Sequence, residues 1–355
     1  MEKLLVVRLS AMGDVIHALP AVSALRQALP DAEIGWVIEE RWSELLCAKA
    51  YPLAGPVSDQ RPLVSWVHHV RTKEWRRNLS APIKWSATWR DLHRSLNEMR
   101  KVQYDTALDL QGSIRSAVIA VRSGAKRVIG SAEPRERLAR IFYAQKLSLS
   151  GTHVIEQNVG LVKKWTGQEI PALSAIFPRD PVTAAWCDQF CEAQDIGKFV
   201  LLNPGAGWGA KQWPGERYGQ VAEELVGDGY TVLVNCGPGE EALAQSVASS
   251  SGGTARPVQC SLGELIALTR RAALFIGGDT GPLHLAAALK IPVVAIFGPT
   301  DPARNGPFGT RSVVLRSPAS STSHKRHAEA ESGLFHITKD QVLAAARNLF
   351  SGGAA

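Results

Sequence analysis

The sequence contains no apolar run of the roughly 18 residues that a membrane-spanning helix needs, so no transmembrane segment is expected. Met1-Glu2-Lys3 leads directly into apolar residues 4–7. A basic leader, a long apolar stretch and a small-residue cleavage site are all missing, so no signal peptide is expected and cytosolic residence follows. Cysteine is scarce: Cys47, Cys187, Cys191, Cys236 and Cys260 are odd in number and mostly isolated, which excludes a disulfide framework. Cys187 and Cys191 lie one helical turn apart, but no His or Cys nearby completes a metal site, and they read as small residues on one helix face. The sequence has no G-x-x-x-x-G-K-[ST], no G-x-S-x-G and no H-E-x-x-H, which removes P-loop, serine-hydrolase and zincin chemistry. Nor does either half carry a clean G-x-G-x-x-G after its first strand, which argues against a nicotinamide or flavin dehydrogenase. No cluster has metal-ligand spacing, so no metal is expected.

What is present is ordinary globular material. The 355 residues suffice for two domains, with 45% apolar and 21% charged residues to build two cores. The first half alternates strand and helix: strand 4–9, turn 10–14, helix 15–29, strand 33–38. A loop over 51–62 opens a basic, tryptophan-rich insertion. A strand at 106–110, a helix from Ser113, a strand at 126–129, a helix over 135–143 and a helix over 153–165 follow. Pro171, Pro178 and Pro181 mark a linker. The second half restarts the alternation with strands at 199–202, 231–235, 273–276 and 292–297, and helices at 216–226, from 240, and at 262–272. Residues 317–332 read as a loop, 338–349 as a last amphipathic helix, and the tail as frayed. Two βαβ halves predict two doubly wound, Rossmann-like domains, 1–178 and 179–355, facing across a cleft. The last helix is free to pack back on the first domain.

The densest chemistry lies in residues 277–289, Gly-Gly-Asp-Thr-Gly-Pro-Leu-His-Leu-Ala-Ala-Ala-Leu, behind an apolar strand. Gly277 and Gly278 allow a tight turn and close approach of a ligand. Asp279 and Thr280 sit where a helix N-cap belongs, and the free N–H groups and dipole of that helix form an anion site. Gly298-Pro299-Thr300-Asp301-Pro302 ends the next strand, so two adjacent loops line one wall of a nucleotide or sugar-phosphate site. In the first half Asp14 stands at the end of the first strand, either as a general base toward a hydroxyl or as the helix N-cap. His17, one turn on, is a weaker candidate. Lys211, between Trp208 and Trp213, can neutralise a diphosphate leaving group. Glu240 and Glu241, after Gly237-Pro238-Gly239, are placed either to accept ribose hydroxyls or to complement a helix dipole.

The net charge of +7 is concentrated. Residues 68–101 hold nine Lys/Arg against three acids, interleaved with Trp66 before them and Trp75, Trp85 and Trp89 among them. Such a segment suits a polyanion, whether nucleic acid or a phosphate-bearing membrane surface, or else is a solvated helix face.

Four motifs in order resemble the ADP-heptose:lipopolysaccharide heptosyltransferases. They are Ser10-Ala11-Met12-Gly13-Asp14 with Val15 to Pro20, Asp109-Leu110-Gln111-Gly112-Ser113-Ile114-Arg115-Ser116, Lys211-Gln212-Trp213-Pro214, and Asp279-Thr280-Gly281-Pro282-Leu283-His284 with Phe297 to Pro302. The resemblance spans residues 3–316 and is nearer to type I than type II, through Ser-Ala-Met-Gly-Asp, Trp36-Val37-Ile38-Glu39-Glu40 and Glu133-Pro134 ahead of Phe142-Tyr143. It implies a GT-B fold with an acceptor domain first and a nucleotide-sugar domain second. It implies inverting, metal-independent transfer of L-glycero-D-manno-heptose from ADP-heptose, a substrate rather than a cofactor, to a Kdo sugar on lipid A. Asp14 matches the catalytic base and Lys211 the cation at the donor phosphates. Asp279, Thr280, Gly281 and His284 match the phosphate-side loop, and Glu241 the ribose acid. Arg71, Lys73, Arg76 and Arg77 resemble the acceptor-binding segment and His153 an acceptor-side histidine. The implied partners are ADP-heptose, Kdo-lipid A and the inner face of the cytoplasmic membrane, not nucleic acid, with the chain cytoplasmic and peripheral. The cysteine cluster of many relatives is missing from residues 317–332. Rival readings are a transfer to another acceptor (the first heptose or a protein), a GT-B epimerase acting on UDP-sugars, and a non-catalytic polyanion-binding protein.

Overall fold

Short apolar runs, each closed by a glycine or a polar residue, form two six-stranded parallel sheets in the computed structural model, which describes residues 2–78, 80–169, 174–323 and 329–352. The chain divides into two units, Met1–Asp180 and Pro181–Ala355. The division falls two residues beyond the expected boundary, and Pro171 of the expected linker lies outside the described residues.

In the first unit the strands are β1 (Lys3–Val7), β2 (Glu33–Glu39), β3 (Trp66–Val70), β4 (Thr106–Asp109), β5 (Arg127–Ser131) and β6 (Gln145–Leu147), in the order β3-β2-β1-β4-β5-β6. Its helices are α1 (Met12–Ile16), α2 (Leu19–Ala28), α3 (Thr72–Asn78), α4 (Trp85–Val102), α5 (Ile114–Arg122) and α6 (Val154–Thr166). In the second unit β7 (Phe199–Asn203), β8 (Thr231–Asn235), β9 (Arg256–Val258), β10 (Leu274–Gly278), β11 (Val293–Phe297) and β12 (Ser312–Arg316) are ordered β12-β11-β10-β7-β8-β9. Its helices are α7 (Pro181–Ala193), α8 (Gly215–Gly227), α9 (Glu241–Ser250), α10 (Leu262–Thr269), α11 (Gly281–Ala288), α12 (Pro302–Asn305) and α13 (Lys339–Ser351).

Both sheets therefore have the doubly wound 3-2-1-4-5-6 order, with topological switch points between β1 and β4 and between β7 and β10. Strands β4, β7, β10 and β11 are buried along their whole length, as expected for strands covered on both faces.

Several elements differ from the sequence reading. The helix expected over 15–29 is two pieces, because His17 and Ala18 break it and Pro20 starts α2 anew. The helix over 135–143 is a 3₁₀ turn, Arg137–Phe142. The basic insertion holds strand β3 and helices α3 and α4. The paired histidines of β3 disguise its alternation, and α4 buries only a narrow stripe at Leu96, Met99 and Val102. Edge strands β6 and β9 are short and carry little apolar signal, and β12 is half-exposed. Loop 317–332 ends in a 3₁₀ turn, Ser332–His336, and residues 324–328 and 353–355 lie outside the described set.

The last helix, α13, sends Val342, Leu343, Ala346 and Leu349 into the core of the second unit beside Val294 and Ile296. No helix among the described residues is long and apolar enough to cross a membrane.

Candidate active site

Asp14 lies at the carboxyl edge of the first sheet, where α/β folds bind ligands. It is the third residue of α1, not its N-cap, because the helix starts at Met12. Its Oδ2 accepts the Ala11 N–H at 3.1 Å, and its Oδ1 is 2.9 Å from the Arg8 guanidinium. Arg8 is buried, and it also donates to the carbonyls of Asp14 and Leu110. One cation thus ties the loop after β1 to the loop after β4 and aims the Asp14 carboxylate, which keeps 37% of its side-chain exposure.

The second motif is a buried polar network. Asp109 accepts the N–H groups of Gln111 (2.9 Å) and Gly112 (3.0 Å) and the hydroxyls of Ser116 (2.9 Å) and Tyr143 (2.7 Å). Burial pushes its carboxyl up, and these four donors work against that. Gln111 accepts the Leu9 N–H at 2.8 Å. The motif holds the switch point together and does not present a reactive group.

His153 caps α6, its Nδ1 accepting the Ile155 N–H at 3.2 Å, and its ring meets that of His17 edge-on at 5.7 Å. Asn158 donates to the His17 carbonyl at 3.0 Å, so the chain just after Asp14 is held by α6.

In the second unit the switch point carries a compact ionic cluster. Lys211 Nζ is 2.5 Å from Asp279 Oδ2, and Nε2 of His284 donates to Asp279 Oδ1 at 3.0 Å. Lys211 also lies over the Trp208 ring at 5.2 Å. Burial alone would push the Asp279 carboxyl up. The hydrogen bond and charge of His284 and those of Lys211 outweigh it and hold the carboxyl well below the usual carboxylate range.

Packing fixes the Lys211 loop. Trp213 is buried and donates its indole N–H to the Ile337 carbonyl at 3.0 Å, while the Glu331 N–H donates to the Ala210 carbonyl. A Cβ on Gly278 would stand 3.1 Å from the Lys211 carbonyl oxygen, and one on Gly277 3.0 Å from that of Asn203. The twin glycines are needed because the β7 and β10 loops touch through their backbones.

Thr280 is the N-cap of α11, in extended conformation, and Gly281 is its first residue. The first α11 N–H to reach a helical carbonyl is that of His284, so the preceding turn keeps donors for an anion.

The two acids after β8 separate clearly. Glu240 is partly buried, accepts the Gly237 N–H at 3.0 Å, and fills the space where a Cβ on Gly205 would come within 2.2 Å of its carboxylate. Burial pushes its carboxyl up. Glu241, the first residue of α9, is exposed; its own N–H and that of Gly239 hold its carboxyl low.

Arg71 is committed to Glu40 (2.5 Å) and Asp91 (3.5 Å), and the Glu40 hydrogen bond raises its already high pKa. Lys73, Arg76 and Arg77 are exposed on α3. A cavity of about 610 Å³ runs from Arg71 along β3 and α4, lined by Trp66, His69, Arg94, Ser95 and Lys101 among others.

Sequence reasoning missed Arg8, Asn203 and Asn235. Asn235 donates to Asn203 Oδ1 at 2.6 Å, and Asn203 donates to the Gly205 carbonyl and to the Thr280 hydroxyl, linking three strand ends. Each is a polar residue closing or interrupting an apolar strand run, and that was the available signal. Among the described residues no group of three or more His, Cys, Asp or Glu is placed to hold a metal ion.

Two doubly wound units with polar switch points give the GT-B fold, and solved glycosyltransferase structures share it. E. coli heptosyltransferase WaaC with ADP has a TM-score of 0.77 and 26% identity over 98% of this chain and 99% of its own. The chain belongs to glycosyltransferase family 9, the heptosyltransferases, whose family model matches residues 91–336. Lipopolysaccharide heptosyltransferase 1 of Pseudomonas aeruginosa is 28% identical over 96% of this chain and 93% of its own length. Lipopolysaccharide heptosyltransferase 3 of Escherichia coli is 24% identical over 81% and 80%. Heptosyl transfer in lipopolysaccharide core biosynthesis is the activity these comparisons establish.

Proposed function

We propose that the chain moves L-glycero-D-manno-heptose from ADP-heptose to a Kdo residue of Kdo-lipid A, in one inverting displacement that needs neither metal nor cofactor. The observation that carries this reading is the Lys211–Asp279–His284 cluster beside the open first turn of α11. When the bond between the anomeric carbon and the diphosphate oxygen breaks, the electron pair leaves with ADP. A fixed cation and helix N–H groups stabilise that charge where it develops, with little reorganisation.

Asp14 takes the proton of the acceptor hydroxyl as its oxygen bonds to the anomeric carbon. Arg8 and the Ala11 N–H hold the carboxylate in place for that transfer. On the donor side, Lys211, Thr280, Gly281 and the α11 N–H groups meet the phosphates, while Asp279 and His284 orient Lys211. Glu241 accepts the ribose hydroxyls, because it is exposed while Glu240 is spent on bracing the Gly205 and Gly237 turns.

On the acceptor side, Lys73, Arg76 and Arg77 meet the anionic sugar and phosphates. Arg71, neutralised by Glu40 and Asp91, orders the start of α3, and His153 holds the Asp14 loop through His17. A lipid-anchored acceptor places the enzyme on the cytoplasmic side, peripherally at the inner membrane face, with no nucleic acid partner. The match to a lipopolysaccharide heptosyltransferase 1 over 96% of the chain supports the Kdo step over the later ones.

The deciding experiment is ADP release by purified protein with ADP-heptose and Kdo-lipid A, in the presence of chelator. Release that depends on both substrates supports the reading. Turnover only with a heptosylated acceptor moves the enzyme to a later step, and dependence on added metal removes the metal-free mechanism.

A further inference from the structure

We propose that Arg115 selects the acceptor: the free edge of its guanidinium pairs with a carboxylate on the sugar whose hydroxyl Asp14 deprotonates. Arg115 stands in the first turn of α5, after β4, yet its Nη1 donates at 2.7 Å to the hydroxyl of Thr72, which starts α3 after β3. The strand order is β3-β2-β1-β4, so these elements rise from strands three spacings apart, roughly 14 Å at about 4.8 Å each. The bond between them therefore lies over the carboxyl ends of β1 and β2. Glu39, the buried last residue of β2, confirms that position. It accepts the Thr72 N–H at 3.1 Å and the Thr72 hydroxyl, and its own N–H donates at 3.0 Å to the carbonyl of Leu9, where the Asp14 loop begins. Asp14 is joined to the same place from the other side, because Arg8 holds both its carboxylate and the Leu110 carbonyl, five residues before Arg115.

The Glu39–Thr72 pair fixes the guanidinium without using it up. The Thr72 hydroxyl gives its proton to Glu39 and turns a lone pair to Nη1, whereas Nε and Nη2 have no hydrogen-bond partner among the described residues, and Arg115 is exposed. Those two N–H groups form the side edge of the guanidinium, a fork that matches both oxygens of a carboxylate. Held in place beforehand, it loses little freedom on pairing. Arg8 and Arg71, at the same edge of the sheet, are already spent, the first on Asp14 and the second on Glu40 and Asp91. A Kdo ring carries a carboxylate. A heptose or a protein hydroxyl would leave the fork unpaired, so Arg115 favours the acid sugar over both. The inference deepens the acceptor reading and rests on it.

The test is ADP release by the full chain with ADP-heptose and either Kdo-lipid A or the same acceptor with its carboxylate converted to a carboxamide. Wild type should prefer the acid by roughly 10- to 100-fold in kcat/KM, the worth of charge-assisted hydrogen bonds. Arg115→Gln should lower kcat/KM for the acid by a similar factor and abolish the preference. Arg115→Lys keeps the charge but not the fork, and should keep part of the preference. KM for ADP-heptose should hold in both variants. Equal losses on the two acceptors in Arg115→Gln would make the residue a brace between α3 and α5, and overturn the proposal. Equal wild-type turnover of acid and carboxamide would also overturn it, placing the fork on another anion such as a phosphate. Absence of wild-type turnover with Kdo-lipid A removes the acceptor reading and the proposal with it, whereas turnover with an unaltered preference in Arg115→Gln removes the proposal alone.

Discussion

Lys211 and Asp279, 68 residues apart in sequence, meet at 2.5 Å across the switch point between β7 and β10. Both are largely buried, and His284 holds the other carboxylate oxygen. A lysine set this way is a rigid cation, already desolvated, and it loses little freedom when a diphosphate arrives. Lys211→Ala should lower kcat by roughly 10²–10³-fold, the worth of one preorganised electrostatic contact. Steady-state ADP release checks this; a change confined to KM for the acceptor would remove Lys211 from the donor site.

Asp279→Asn should act on stability as well as rate. It leaves Lys211 without its counter-charge in a buried position, and breaking such a pair costs about 3–5 kcal/mol. Denaturant unfolding of the variant should show that loss, whereas Lys73→Ala, on an exposed helix, should unfold like wild type.

Asp14→Ala should cut turnover by roughly 10²–10⁴-fold, the usual contribution of a general base. Affinity for ADP-heptose should stay near wild type, because Asp14 belongs to the first unit and the donor contacts to the second. Calorimetric titration of ADP-heptose beside the kinetic assay separates the two effects.

The neighbouring acids should part company. Glu241→Gln should raise KM for ADP-heptose by roughly 10- to 100-fold, the loss of charge-assisted hydrogen bonds. Glu240→Gln should leave KM near wild type, since its carboxylate is engaged with Gly237 and packed on Gly205. The opposite pattern would exchange their roles.

His68 predicts acid sensitivity. Burial pushes its imidazole down to about 4, and its Nε2 is 2.6 Å from the Tyr104 hydroxyl. Between the unfolded value near 6.5 and about 4 the unfolded chain binds more protons, so stability falls as pH falls through that window. The full loss is about 3 kcal/mol. Below it, protonation of Asp279, held low in the fold, removes more. Urea unfolding at pH 7 and pH 4.5 should show the first loss, and His68→Gln should flatten it.

How much could be read from sequence follows from how local each feature is. The strand-end loops at Asp14, Lys211 and Gly277–Thr280 were legible, because a buried parallel strand announces itself as an apolar run and its carboxyl end is where α/β sheets bind ligands. The helix start at Thr280 was equally local. Of the two readings of Asp14, the N-cap is the one the fold removes: α1 is a single turn preceding a break, too short to show a period that would locate its start. Strand β3 and helix α4 stayed hidden because their exposed sides are rich in charge and tryptophan, while their buried stripes are narrow.

The sequence by itself determined two doubly wound units, their glycine turns and the ionisable groups at their carboxyl edges, since all of these depend on residues within a few positions of one another. Tertiary structure alone decided which groups are paired: Arg8 with Asp14 and Leu110, Lys211 with Asp279, Arg71 with Glu40 and Asp91, and Glu240 rather than Glu241 against Gly205. Strand order sets those partners. Neighbours in a parallel sheet come from distant parts of the chain, and the contact between β7 and β10 that gives Lys211 its carboxylate exists only once three crossovers have been folded between them.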